Sequence, residues 1–242
     1  MTQESGSDPR FFGTGSSHRA RETYLEVPLE ASTKGFELGP YNSENFYRDP
    51  KRLAFLFSRY KFVSKMLEGR GQVLEVGCQE GLGSVLVAKT VGHLVASDFF
   101  RDHVESCRRR LGAAFPDIEF LGHDMVGGPI PRSFDAAFAL DVFEHIDPAQ
   151  EDAFMGNLVA SLSEKGVLIL GIPSLEFQAY ASPASREGHI NCKSGKDLKA
   201  FCEGYFDHVF MFGMSDEVVH TGFLPMASYL LALCVQPRVR NR

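Results

Sequence analysis

The sequence lacks several features that would indicate particular classes of protein. Its 242 residues carry a net charge of −6, which disfavours a general nucleic-acid binder, because such a protein needs a basic face to neutralise phosphates. The longest apolar run, around residues 226–235, is too short to span a bilayer. The five cysteines are scattered and have no C-x-x-C spacing, which argues against a disulfide framework or a zinc site. Residues 1–7 are polar, unlike a signal peptide, and we therefore expect a soluble, cytoplasmic protein.

The order of segments predicts one α/β domain behind an N-terminal extension. Residues 1–48 are irregular, begin with a stretch rich in Gly, Ser and charge, and are predicted to be partly flexible. The later part of this extension is either a lid over the active site or a simple extension. Residues 49–242 are predicted to form the domain, which begins with the helix start Asp49-Pro50.

Strands and helices alternate after this first helix. Alternation of this kind predicts a doubly wound, Rossmann-like sheet that is mostly parallel, with helices on both faces. The predicted strands are 73–76, 93–97, 118–121, 134–140, 167–172, 206–212 and 227–235, and the predicted helices between them include 82–91, 101–111 and 147–162.

A glycine-rich turn follows the first strand, within the stretch Val73–Ser84. A buried strand, a tight turn and a helix present backbone N–H groups to a ligand at the helix N-terminus. Gly77 can adopt a positive φ, and Gly81 leaves no Cβ between the backbone and its neighbours. The stretch predicts a nucleotide-like ligand, although glycine also ends strands in proteins that bind nothing.

Acidic residues lie at or near the ends of four strands, namely Glu75, Asp98, Asp124 and Asp141. Ligands of open parallel sheets bind beyond the carboxyl ends of the strands. Asp98 follows Glu75 by 23 residues, the distance at which a second strand delivers an acid to ribose hydroxyls. Asp124 would accept a hydrogen bond from the adenine amine, with Met125 packed against the ring. Each acid could instead simply cap a helix.

Two common nucleotide fingerprints are absent. Counting from Gly77, the dinucleotide pattern G-x-G-x-x-G requires glycine where this chain has Gln79 and Leu82. No P-loop pattern is present. An adenosine cofactor other than a dinucleotide is therefore favoured.

The turn instead resembles motif I of the class I S-adenosylmethionine-dependent methyltransferases. The resemblance covers roughly residues 53–172, and residues 142–146 look like the small-molecule or glycan branch of that family. It rests on the pattern Glu75-x-Gly77-x-x-x-Gly81, on Asp98 and Asp124, and on the stretch Phe134–Ile146.

The resemblance implies a seven-stranded sheet whose last strand, 227–235, is antiparallel, and S-adenosyl-L-methionine as the cofactor. The turn from Gly77 to Gly81 would hold its methionine part, Asp98 its ribose, and Asp124 with Met125 its adenine. The predicted cofactor-binding residues are Glu75, Gly77, Gln79, Gly81, Asp98, Phe99, Asp124, Met125 and Asp141.

Gln79 departs from the family pattern, which has glycine there. If the position needs a left-handed backbone, a non-glycine residue costs about 1–2 kcal/mol. The glutamine amide could hydrogen-bond the cofactor, or the pocket could be altered.

Methyl transfer from a sulfonium requires mainly alignment of the reactants, but an alcohol acceptor also needs a general base. His145, His189 and Asp141 are the candidate catalytic residues, because they follow the fourth and fifth strands. Carboxylate and imidazole also suit a divalent metal, but no ligand pair has tight motif spacing, so no metal is predicted. Tyr180 and Arg186 could recognise a polar acceptor, whereas His220 is predicted to be a solvated turn residue.

These features predict methyl transfer to a small-molecule or glycan acceptor, more at oxygen than at nitrogen. One alternative is a non-catalytic partner protein that keeps the methyltransferase fold and has lost the donor site, as Gln79 would allow. Another is a nucleotide-dependent oxidoreductase, against which the missing glycines count.

Overall fold

The computed structural model describes residues 35–238, and residues 38–238 belong to one compact unit. The predicted flexible segment of the extension lies outside the described residues. The unit includes residues 38–48, which the sequence interpretation assigned to the extension.

The described residues contain seven α-helices and eight strands, joined by loops and short 3₁₀ turns. The helices are α1 (Pro40–Arg48), α2 (Lys51–Met66), α3 (Ser84–Ala88), α4 (Arg101–Leu111), α5 (Glu151–Ala160), α6 (Pro183–Gly188) and α7 (Gly195–Glu203). The strands are β1 (Gln72–Val76), β2 (His93–Asp98), β3 (Ile118–Gly122), β4 (Phe134–Leu140), β5 (Leu162–Pro173), β6 (Phe206–Ser215), β7 (Val218–His220) and β8 (Tyr229–Pro237).

The strands form one mixed sheet in the order β3-β2-β1-β4-β5-β8-β6-β7. The first five strands in this order pair in parallel, whereas β8 lies antiparallel between β5 and β6. The prediction of a doubly wound sheet with an antiparallel last strand is therefore confirmed.

The prediction of seven strands is wrong, because β6 continues into a hairpin. A turn with Asp216 at φ 51° returns the chain as β7, whose Val218 pairs with Ser215. Tight hairpin turns require a positive φ, which Asp tolerates better than most residues. The eighth strand is three residues long and lies at the edge of the sheet.

Most other differences concern where elements begin and end. The predicted strand 134–140 and helix 101–111 are confirmed. The predicted helix 82–91 is shorter and spans Ser84–Ala88. The predicted helix 147–162 begins as a 3₁₀ turn, in which the Asp147 carboxylate accepts a hydrogen bond from the N–H of Ala149, and continues as α5.

The core consists of two apolar layers, one on each face of the sheet. Successive strand residues point to opposite faces, so Leu74 packs in the layer with α5 and α7, and Val73 in the layer with α2 and α4. Burying each such side chain contributes about 1.5–3 kcal/mol. This core fixes the carboxyl ends of β1, β2, β4 and β5 along one edge, where the candidate site lies.

Candidate functional site

A cavity of about 510 Å³, here called the first cavity, opens at the carboxyl ends of β1, β2 and β4. Four predicted cofactor residues line it from consecutive strand ends, namely Asp98, Phe99, Asp124 and Met125. Met125 is buried, whereas Phe99 is 67% exposed. The predicted adenosine residues are thus brought together around one cavity.

The glycine-rich turn after β1 forms one wall of this cavity. Gly77 has φ 84°, and a Cβ at this position would lie 2.1 Å from Cγ2 of Val142. Gln79 has φ 49°, which confirms that this position needs a left-handed backbone. Its non-glycine side chain therefore costs about 1–2 kcal/mol.

Asp98 connects this turn to the end of β2. Its Oδ2 accepts a hydrogen bond from the N–H of Gln79 at 2.7 Å, and its Oδ1 accepts one from the N–H of Phe100 at 2.9 Å. Nδ1 of His103 lies 3.2 Å from Oδ1. A carboxylate offers about four acceptor positions, so Oδ2 retains one for a ligand hydroxyl.

Asp124 and Met125 have their backbone fixed by nearby contacts. Oδ1 of Asp124 accepts a hydrogen bond from the N–H of Val126 at 2.9 Å. The carbonyl of Met125 accepts one from Nδ2 of Asn157 at 2.9 Å. An acid at the end of β2 and a buried apolar side chain after β3 fit the hydroxyls and the ring of an adenosine.

Two predicted cofactor residues, Glu75 and Gly81, do not line the first cavity or the second cavity described below. Glu75 is buried, and its Oε1 accepts a hydrogen bond from the hydroxyl of Tyr60 at 2.7 Å. Burial raises the pKa of Glu75 to about 7. Gly81 has φ 70° and packs against Leu111 and Cys107. Both residues support the turn from behind.

A second cavity of about 360 Å³ lies on the other side of the turn. It shares four lining residues with the first cavity, namely Gly77, Gln79, Asp141 and His145. A third cavity of about 490 Å³ shares Arg59 and His189 with the second. The three cavities therefore follow one another along the edge of the sheet.

Asp141 forms an ion pair inside this series of cavities. Its Oδ2 lies 2.5 Å from Nη1 of Arg59, and the Arg59 guanidinium lies 3.9 Å above the ring of Tyr229. Burial opposes the charge of Arg59, but its pKa is raised because the Asp141 carboxylate lies beside it. Asp141 has φ 56°, and its N–H donates to the Tyr229 hydroxyl at 3.2 Å. The predicted catalytic acid is thus held by Arg59, which the sequence interpretation did not identify.

The two predicted catalytic histidines lie next to each other. The ring centroids of His145 and His189 are 5.1 Å apart. Nδ1 of His145 lies 2.8 Å from the carbonyl oxygen of Gly188, and Nδ1 of His189 lies 3.1 Å from Oε1 of Gln178. Since the Gly188 carbonyl oxygen and Oε1 of Gln178 can only accept hydrogen bonds, each Nδ1 carries the proton and donates it, and each Nε2 keeps a lone pair.

Glu144 completes this cluster and was not identified from the sequence. It is 1% exposed, and neither carboxylate oxygen accepts a hydrogen bond from another residue. Burial, followed by the charge of Asp141, raises its pKa well above the usual range. Burial, followed by His145, lowers the pKa of His189. The sequence signal for Glu144 is its place beside His145 after β4.

The residues predicted to recognise an acceptor lie further out. Tyr180 is 79% exposed and packs against Phe177, a residue of the third cavity. Arg186 lies on α6. The prediction that His220 is a solvated turn residue is wrong, because His220 is the last residue of β7 and is half-buried. Its Nδ1 accepts a hydrogen bond from the N–H of Gly222 at 3.1 Å.

Comparison with known proteins shows what this part of the chain is similar to. Residues 73–166 match the family described as "Methyltransferase domain". The probable S-adenosylmethionine-dependent methyltransferase Rv3030 of Mycobacterium tuberculosis (strain H37Rv) is 27% identical over 162 residues, or 65% of this chain. Those residues span 57% of that relative. Residues 73–166 are thus similar to a methyltransferase domain.

Solved structures of methyltransferases share the fold of this chain. The methyltransferase domain of bacterial CtHen1-C superposes with a TM-score of 0.62 at 18% identity, over 75% of this chain and 98% of that one. N-methyltransferase NodS of Bradyrhizobium japonicum WM9, in complex with S-adenosyl-L-homocysteine, gives 0.55 at 16% identity, over 91% and 98%. Together the comparisons show that the chain is similar to S-adenosylmethionine-dependent methyltransferases in sequence and to methyltransferases in fold.

The described residues contain no helix that is long and apolar enough to cross a membrane.

Proposed function

We propose that the protein transfers a methyl group from S-adenosyl-L-methionine to a hydroxyl group of a small molecule or glycan. The observation that carries the proposal is the wall of Gly77, Gln79, Asp141 and His145, which separates the first cavity from the second. A donor in the first cavity and an acceptor in the second would meet across this wall.

The first cavity is lined by groups that could bind each part of the cofactor. Asp98 would accept from a ribose hydroxyl through the free position on Oδ2, and Met125 would pack against the adenine. Gly77 and Gln79 would lie against the methionine part. When bound, S-adenosyl-L-methionine supplies an activated methyl group on a sulfonium, open to in-line displacement.

The second and third cavities supply the acceptor site in this proposal. Where no metal is bound, Nε2 of His189 would take the proton of the acceptor hydroxyl. Its lowered pKa keeps the imidazole neutral near pH 7, as a general base requires. Arg59, held by Asp141, and Tyr180 at the rim would orient a polar acceptor.

Gln79 is compatible with a working donor site. In its left-handed conformation, the backbone N–H of Gln79 donates a hydrogen bond to the Asp98 carboxylate. The turn therefore keeps its conformation although glutamine stands where the family pattern has glycine. This observation favours an active methyltransferase over a partner protein without donor binding. The two glycines missing from the dinucleotide pattern still count against an oxidoreductase.

The proposal is tested by methyl transfer from radiolabelled S-adenosyl-L-methionine to fractionated cell extract. We expect label in the small-molecule or glycan fraction, as a methyl ether that survives protease and nuclease. Label that is released by nuclease or protease, or that is found on amine nitrogen, would contradict the proposed acceptor class.

A further inference from the structure

We propose that Glu144, His145 and His189 form a binding site for one divalent transition-metal cation at the wall of the second cavity. This goes against the expectation of no metal from the sequence. His189 reaches the other two residues from the loop after β5, so tight spacing in the sequence could not have revealed the cluster.

The first observation is the convergence of three ligand types. One ligand atom from each residue lies within 4.8 Å of the others. Neighbouring ligand atoms on one cation lie about 3.0–3.5 Å apart, because metal–nitrogen and metal–oxygen bonds are about 2.0–2.2 Å long. Side-chain rotations that move the ligand atoms by about 1 Å would therefore close the site.

The second observation is independent and concerns Glu144. Its side chain is buried at 1% exposure, and its two carboxylate oxygens accept no hydrogen bond from another residue. A buried polar group without partners is rare and unfavourable in folded proteins. A cation bound between this carboxylate and the imidazoles would supply the missing partner.

The contacts behind the histidines are those that metal ligands commonly make. Each Nδ1 is directed at an oxygen atom, in Gly188 for His145 and in Gln178 for His189. Such contacts fix the tautomer and orient the other nitrogen, Nε2, for a metal.

The surrounding charges permit a cation. Asp141, which precedes the cluster on the same loop, and Arg59 of α2 form an ion pair that adds no net charge beside the cluster. Lys193, from the far side, is bonded to Glu151 at 2.8 Å. On binding a cation, Glu144 is the residue of the cluster that would supply a negative charge.

The donor set indicates the kind of metal. Two imidazoles and one carboxylate suit Mn²⁺, Fe²⁺, Co²⁺ or Zn²⁺, whereas Mg²⁺ and Ca²⁺ prefer oxygen ligands alone. Three protein ligands leave positions open on the cation. One of these positions would hold the acceptor oxygen and favour loss of its proton to water; this use rests on the proposed function.

Metal binding is tested on the full chain without donor or acceptor. After treatment with a chelator, the protein is titrated with Mn²⁺ and Zn²⁺ by calorimetry, and bound Mn²⁺ is followed by electron paramagnetic resonance. We expect one site per chain. Glu144→Gln and His189→Ala should each weaken binding at least tenfold.

Matched controls come from nearby residues of the same types. Glu151→Gln changes a partly buried carboxylate that pairs with Lys193. His220→Ala changes a histidine of β7 that contacts Ser215 and Gly222. Both variants should bind the metal as the wild type does. Glu144→Gln keeps the size of the side chain, and His189 lies in a loop, so thermal unfolding should show that both variants fold.

Failure of both cations to bind, or equal binding by Glu144→Gln and His189→Ala, would overturn the metal site. Because no methyl transfer is measured, this result would leave the proposed function standing. Conversely, metal binding without any methyl transfer to hydroxyl acceptors would refute the proposed function and would leave the proposed metal site standing.

Discussion

The backbone N–H of Gln79 donates a hydrogen bond to Oδ2 of Asp98 over 2.7 Å. This bond joins the turn after β1 to the end of β2, so the two parts of the predicted donor site form one rigid unit. It also explains why a left-handed glutamine is tolerated, since the bond offsets part of the strain. The predicted donor site thus depends on the conformation of its backbone as much as on its side chains.

Two glycines with positive φ differ in the space around them and make a matched test. Gly77→Ala should lower the free energy of unfolding by at least about 3 kcal/mol, because the new Cβ meets Val142 at 2.1 Å in addition to the φ penalty. Gly69→Ala meets nothing within 4 Å and should cost about 1–2 kcal/mol. Urea unfolding measures both, and equal losses would show that Val142 simply moves aside.

Glu75 should make stability depend on pH. Its folded pKa of about 7 lies above its unfolded value, so the folded state binds more protons between about pH 4.5 and 7, and stability falls as pH rises through that range. The fall amounts to at most about 3 kcal/mol.

Glu75→Gln should remove most of this fall when urea unfolding is compared at pH 5 and pH 7.5. The exposed Glu68→Gln is the control and should keep the wild-type dependence. A Glu75→Gln variant whose stability changes with pH as much as the wild type's would disprove this assignment.

Glu80 holds the N-terminus of α1. Its carboxylate accepts hydrogen bonds at 2.8 Å from the N–H groups of Tyr41 and Asn42, which line the second cavity. Glu80→Ala removes this cap and should destabilise α1 by about 1–2 kcal/mol, seen as faster amide exchange over residues 40–48. Glu44→Ala is the control: it breaks an exposed ion pair with Arg48 on the same helix and should leave amide exchange nearly unchanged. Similar exchange rates in the two variants would show that Glu80 does not cap α1.

His189 should control turnover rather than donor binding. His189→Ala should lower turnover about 10²–10⁴-fold, the usual contribution of general acid–base catalysis, with little effect on the affinity for S-adenosyl-L-homocysteine. In the metal-free protein, where Nε2 of His189 would take the proton, activity should rise with pH through an acidic limb, because the pKa of His189 is lowered. A variant that weakens donor binding and turnover equally would assign the residue a structural role instead.

The sequence predicted the elements whose signals are local. β4 and α4 have the predicted bounds because an apolar run and helical spacing mark them without outside help. The N-terminus of α1 was not predicted, since the cap of this helix comes from Glu80, 38 residues away. The hairpin that adds β7 depends on a two-residue turn, which the polar stretch 215–225 did not distinguish from a loop.

The same distinction applies to the site. Asp98 was predicted because it ends the second strand 23 residues after Glu75, and Asp124 with Met125 because they follow the third strand. Arg59 and Glu144 were missed, because an arginine on a helix and an acid beside His145 become informative only when burial and partners are known. The approach of His189 to His145 likewise results from the path of the loop after β5.

Calorimetry with S-adenosyl-L-methionine, with NAD as the comparison ligand, tests the central claim most directly. The wild type should bind S-adenosyl-L-methionine and not NAD, and Asp98→Ala should weaken that binding at least tenfold, because hydrogen bonds to a charged group contribute about 1.5–3 kcal/mol. Asp117→Ala, which changes an exposed acid before β3, is the control and should bind normally. Absence of binding by the wild type, or equal affinity in Asp98→Ala, would contradict a donor site in the first cavity.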